Sequence, residues 1–79
     1  MEIKVLGTGC PKCKALEKAV HDALQELNLE AKVEKVEEID KILSYGILRT
    51  PGLVINGKVV VSGRLPSINE VKEFINQNA

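Results

Sequence analysis

The sequence predicts an α/β domain with the element order β-α-β-α-β-β-α. Residues 2–6 alternate apolar and charged side chains, and an apolar stripe at three- and four-residue steps begins at Cys13. An Asn56-Gly57 pair separates two apolar runs, and Ser67-Ile68-Asn69-Glu70 opens a last amphipathic segment.

The first strand is Glu2-Ile3-Lys4-Val5-Leu6, and Gly7, Thr8 and Gly9 break it. From Pro11 onward Cys13, Leu16, Val20, Leu24 and Leu27 form one face of a long helix, with Ala23 filling that face. Glu17, Lys18, His21, Asp22, Gln25 and Glu26 supply much of its solvated side, and Asn28 lies near its expected end. Residues 31–36 return to a strand pattern. Ile39, Ile42 and Leu43 then suggest a short helix that Gly46 stops as a left-handed cap. The runs at 53–55 and 58–62 flank Asn56-Gly57, the residue pair a type I′ hairpin turn favours because both central positions need positive φ. In the last helix Ser67 and Glu70 form a capping box, and Ile68, Val71, Phe74 and Ile75 are its expected buried face.

A chain of 79 residues holds one small core, so a single domain over 1–79 is expected. Apolar residues make up 44% and charged residues 28%, a globular rather than disordered balance. With one Tyr and one Phe, the core must be built from aliphatic side chains. Eleven basic residues match eleven acidic ones, so no overall field favours nucleic acid or an anionic membrane. Recognition must therefore be local. No apolar run approaches the ~20 residues that span a bilayer. The start "MEIKVLGTG" reads as a strand rather than a signal peptide, so the expected compartment is the cytoplasm.

Cys10 and Cys13 are the only cysteines. Their C-x-x-C spacing leaves three chemistries open: a redox couple, a metal grip or a structural staple. The staple is weak, since closing about four residues restricts the unfolded chain by roughly 2 kcal/mol before ring strain is subtracted. Structural disulfides are also rare in the cytosol. Cys10 falls where an N-cap belongs, and Pro11 takes the first helical position, where its missing N–H costs nothing. The free N–H groups and the helix dipole then favour thiolate at Cys10, and Lys12 and Lys14 add positive potential. A fall of one unit from about 8.5 would raise the thiolate fraction at pH 7 from about 3% to roughly 24%. Cys13 starts the apolar stripe and should be the more buried of the two.

The "GCPKC" at the first helix, the element order and "YGILRTPGLVINGK" before a hairpin together closely resemble the thioredoxin superfamily. The short chain is similar to its small glutaredoxin-like, redox-active disulfide branch. The resemblance covers nearly the whole chain and implies a thioredoxin-like fold, a four-stranded mixed sheet flanked by three helices. It also implies thiol–disulfide oxidoreduction, with Cys10 as exposed nucleophile and Cys13 as resolving thiol. Pro51 would be a cis-proline beside the pair, the backbone of Thr50 would offer an edge to an extended substrate, and Gly63 would be the small residue near the groove. The implied redox centre is the reversible Cys10–Cys13 disulfide, tuned by Pro11 and Lys12, with no bound cofactor and no metal. The implied partners are disulfide-containing proteins and an electron-donating reductase, acting on a monomer.

Departures from the family pattern narrow these expectations. The usual Trp-Cys-Gly-Pro-Cys-Lys is Gly-Cys-Pro-Lys-Cys-Lys here, and the chain has no Trp. The first strand shows no obvious buried Asp to accept a proton from the resolving thiol. Residues 62–67 lack the Gly-Gly-x-Asp-Asp-like turn that holds glutathione's amino-acid end, so a protein partner fits at least as well as glutathione. The rival reading is soft-metal carriage, since "TGCPKC" is similar to carriers of Cu(I) or Zn with Thr-Cys-x-x-Cys after a first strand. Those carriers use β-α-β-β-α-β order, and two thiolates leave a tetrahedral site half empty unless two chains share it. His21 reads as a surface residue and Tyr45 as packing. Arg49 and Arg64 could flank a groove, although ordinary solvation explains both.

Overall fold

The computed structural model describes residues 1–78. Ala79, the last residue of the expected 1–79 domain, lies outside the described residues. The elements follow the expected order: β1 (Glu2–Leu6), α1 (Pro11–Glu26), β2 (Lys32–Val36), α2 (Ile39–Ser44), β3 (Gly52–Ile55), β4 (Lys58–Ser62) and α3 (Ile68–Asn78). They form one mixed sheet of order β2-β1-β3-β4. β1 pairs parallel with β2 and antiparallel with β3, which in turn pairs antiparallel with β4. A bulge between Leu53 and Val54 leaves Val60 as the extra residue on β4.

Alternation along the central strands divides the core in two. Ile3, Val5, Leu53 and Ile55 pack with Leu16, Val20, Ala23, Val71 and Ile75 beneath α1 and α3. Leu6 and Val54 face the other way, onto Ile42 and Ile47. All four β3 residues are buried, as a central strand covered on both faces requires. Each fully buried Leu, Ile or Val contributes about 1.5–3 kcal/mol relative to exposure.

The helix ends are closed by local chemistry. Asn28 takes the left-handed conformation, φ 54°, after the α1 C-cap Leu27. Its N–H reaches the Gln25 carbonyl at 3.1 Å, and the Leu29 N–H reaches the Leu24 carbonyl at 3.0 Å. These are the two bonds of a Schellman motif, with Asn in the place Gly usually takes. Asn56 and Gly57 have φ 50° and 83°, as a type I′ turn requires. The capping box of α3 is formed in both directions: Glu70 N–H donates to the Ser67 hydroxyl at 3.2 Å, and Ser67 N–H donates to Glu70 Oε1 at 3.1 Å.

Three apolar helix residues, among them Ile68 of α3's expected buried face, stand outside the core. Ile39 (63% exposed) and Leu43 (48%) flank α2's single buried residue, Ile42. A helix of six residues is under two turns, so only one position meets the sheet squarely. Ile68 is 37% exposed because it stands in the first turn of α3, bordering a shallow groove with Ala15, Ala19 and Leu65. Among the described residues, no helix is long and apolar enough to cross a membrane.

Candidate functional site

Cys10 is the N-cap of α1, with extended backbone (φ −67°, ψ 162°), and Pro11 follows at the helix start. The Cys13 N–H donates to Cys10 Sγ at 3.2 Å, so a first-turn amide points directly at the sulfur. That arrangement stabilises negative charge on Cys10 once the pair is reduced. The two sulfurs are joined in a disulfide, with Cα atoms 5.1 Å apart. Cys13 is 5% exposed, whereas Cys10 is half-buried. Cys10 is thus the more accessible residue of the pair.

A row of backbone closes the other side of the site. The β1–β3 register ends with Leu6 opposite Gly52, so Gly7 and Pro51 follow at the same end of the sheet. On the far side, the Gly63 N–H donates to the Pro51 carbonyl at 2.9 Å. The Thr50–Pro51 peptide bond is cis, and Pro51 is fully buried. Gly7 holds the row together: a Cβ built there would overlap Cys13 Sγ, come within 2.9 Å of Cys13 Cβ and lie 3.8 Å from Thr50 Cβ. Cys13 and Thr50 are therefore both neighbours of the space that a side chain at position 7 would fill.

In the sequence Gly7 reads only as a strand breaker. The available signal was its place, since a glycine at a strand end often marks the close approach of another group. Gly63 also has a specific requirement: its φ is 79°, and a Cβ there would sit 3.2 Å from Arg49 Cβ. Thr50, Pro51 and Gly63 thus lie at the end of the sheet from which α1 starts. Pro11 and Lys12 are exposed in the first turn of α1, beside Cys10.

The two arginines part company. Arg64 donates to both Glu70 carboxylate oxygens, at 3.2 and 2.8 Å, and this pairing with the Ser67 N–H holds the Glu70 carboxyl below the usual range. Arg49 has no ion-pair partner among the described residues and lays its stem over Gly63. Behind Cys13 a small cavity of about 80 Å³ is bordered by Gly7, Glu17, Lys35 and Glu37. Its carboxylates come from α1 and the β2–α2 connection rather than from β1. A larger cleft of about 410 Å³ lies on the α2 side of the sheet and holds no cysteine. There the Lys4 ammonium donates to the Tyr45 hydroxyl at 3.1 Å, which pushes the lysine's pKa up. His21 is exposed on α1. No group of three or more His, Cys, Asp or Glu among the described residues is gathered as a metal site would need.

Comparison with known proteins agrees with this geometry. Residues 1–76 match the family model described as Thioredoxin domain. The chain is 40% identical over 75 residues to a thioredoxin of Methanothermobacter thermautotrophicus, covering 95% of this chain and 97% of that protein. A thioredoxin of Methanocaldococcus jannaschii is 37% identical over 71 residues, covering 90% of this chain and 81% of its own length. A probable thioredoxin of Methanothermobacter thermautotrophicus is 34% identical over 70 residues.

Proposed function

The chain belongs to the thioredoxin family, and from that premise we propose that it catalyses thiol–disulfide exchange through Cys10 and Cys13. The Cys10 thiolate attacks one sulfur of a substrate disulfide; a Cys10–substrate bond forms, and the other substrate sulfur leaves as a thiolate. Cys13, as thiolate, then attacks Cys10 Sγ. The mixed disulfide breaks, the second substrate thiol leaves, and the Cys10–Cys13 disulfide remains. Two electrons have passed to the substrate, and an external dithiol reductase must return them before the next turnover.

The observation that supports this order most strongly is the Cys13 N–H pointing at Cys10 Sγ at 3.2 Å, on the less buried sulfur of the pair. Pro11 keeps a competing N–H out of the first position, and Lys12 adds positive potential. Thr50 and Pro51 border the groove on the β3 side, with Gly63 beside them, and the Thr50 backbone is the edge along which an extended substrate segment lies. Disulfide-containing proteins and a reductase are the partners, a protein partner fitting at least as well as glutathione. The chain acts as one monomeric domain in the cytoplasm, with no resident cofactor.

For the rival metal reading, the described residues gather no group of three or more ligands such as a tetrahedral zinc site needs. Steady-state reduction of a protein disulfide tests the proposal. Cys10→Ser and Cys13→Ser should each abolish turnover, and wild-type turnover in both would sink it.

A further inference from the structure

The chain is neutral overall, with eleven residues of each charge, so long-range attraction cannot choose a partner. The distribution around the disulfide is uneven. β1 ends, β3 begins and β4 ends at the same end of the sheet, and α1 starts there. Lys12 stands beside Cys10 in the first turn of α1, and Arg49 directly precedes the Thr50–Pro51 bond. Neither makes an ion pair among the described residues.

Arg49 is also fixed in place. Its Cβ and Cδ would lie 3.2 and 3.6 Å from a Cβ at Gly63, so the aliphatic stem rests beside the glycine while the residue as a whole is exposed. Arg64, by contrast, is consumed by Glu70. Glu37 makes no ion pair among the described residues, and one of its carboxylate oxygens would lie 3.8 Å from a Cβ at Gly9, the residue before Cys10. It borders the cavity behind Cys13, where Lys14 and Lys35 are its neighbours. Lys12, Lys14 and Arg49 are exposed and make no ion pair among the described residues, so around the cysteine pair the unpaired cations outnumber the one unpaired acid, Glu37.

We infer that the preferred partner is a disulfide flanked by acidic residues, received by Arg49 and Lys12 as the segment lies along Thr50. The inference rests on the exchange reading above and adds the substrate's charge to it. Local ion pairs at a solvated rim act within about 8–10 Å and weaken with salt, so selectivity should appear as a salt-sensitive rate.

The test uses fully reduced protein and three synthetic peptides that share one two-cysteine disulfide loop and differ only in flanking Glu, Gln or Lys. Second-order rate constants are divided by those of dithiothreitol on the same peptides, which removes their intrinsic reactivity. The expected result is a Glu-to-Gln rate ratio of about fivefold at low salt, falling toward one at 0.5 M salt. Arg49→Gln should bring the low-salt ratio close to one. Lys58→Gln makes the same charge change at the far end of the sheet and should keep the ratio. Equal ratios in Arg49→Gln and wild type, or faster reaction with the Lys peptide, would overturn the inference while leaving exchange intact. Wild-type protein that reduces none of the three peptides would overturn the exchange reading, and this inference with it.

Discussion

The backbone of Gly7 lies directly against the sulfur of Cys13, leaving no room for a side chain between β1 and the inner thiol. The end of β1 thus sets how deeply Cys13 sits, with the Thr50 Cβ also within 3.8 Å of the position a Cβ would take at Gly7. Gly7→Ala should cost about 1–3 kcal/mol, because Cys13 or the strand must shift to admit the methyl group. Denaturant unfolding of the oxidised protein measures the loss. In the reduced protein, alkylation of Cys13 should become faster. Gly46→Ala is the contrast: φ is 81° there, nothing lies within 4 Å of an added Cβ, and the cost should be backbone strain alone.

Asn56 does more than turn the hairpin. Its carboxamide oxygen accepts from the Glu2 N–H at 2.9 Å, and its nitrogen donates to the Asn78 carbonyl at 2.8 Å, tying the start of β1 to the end of α3. Asn56→Gly keeps the positive φ and removes both bonds, for an expected loss of about 1–2 kcal/mol. Asn56→Ala adds strain to the same loss and should be the worse of the two. Equal stability of Asn56→Gly and wild type would contradict the tie.

The α3 capping box gives stability a pH dependence. Glu70's folded pKa is lowered, first by Arg64 and then by the Ser67 N–H. The unfolded state therefore binds its proton first, at about 4.3, and the contribution is present above that pH. It is lost as pH falls further, through the folded value. Thermal unfolding from pH 7 to 2 should show Glu70→Gln below wild type near neutrality and converging with it in acid.

Packing predictions separate two leucines. Leu16 is fully buried on α1, and Leu16→Ala should cost about 2–5 kcal/mol. Leu48 is 89% exposed beside Arg49, and Leu48→Ala should change stability by no more than about 0.5 kcal/mol. Urea midpoints of the two variants, measured together, check the pair.

Much of this structure is legible in local sequence because the signals are local. Alternation marks β1, Asn56-Gly57 demands its turn, and Ser67 with Glu70 closes on itself. Cys10 as N-cap follows from Pro11 and the stripe behind it. What escaped depends on relations between distant segments. Gly7 matters through Cys13 and Thr50, and Glu37 through the cavity behind Cys13. Ile39 and Leu43 carry a helical pattern, yet α2 is too short to bury both. Arg49 and Arg64 look alike in sequence, and only the Glu70 bridge tells them apart.

The central claim is that Cys10 attacks and Cys13 resolves. Its most direct test is to mix the Cys13→Ser protein with a disulfide-bonded protein substrate, quench with acid and identify adducts by mass spectrometry after proteolysis. The account predicts a lasting mixed disulfide at Cys10 that dithiothreitol releases, and no adduct under the same conditions with Cys10→Ser. A stable adduct at Cys13 in the Cys10→Ser protein, with none at Cys10 in its counterpart, would reverse the roles and contradict the mechanism.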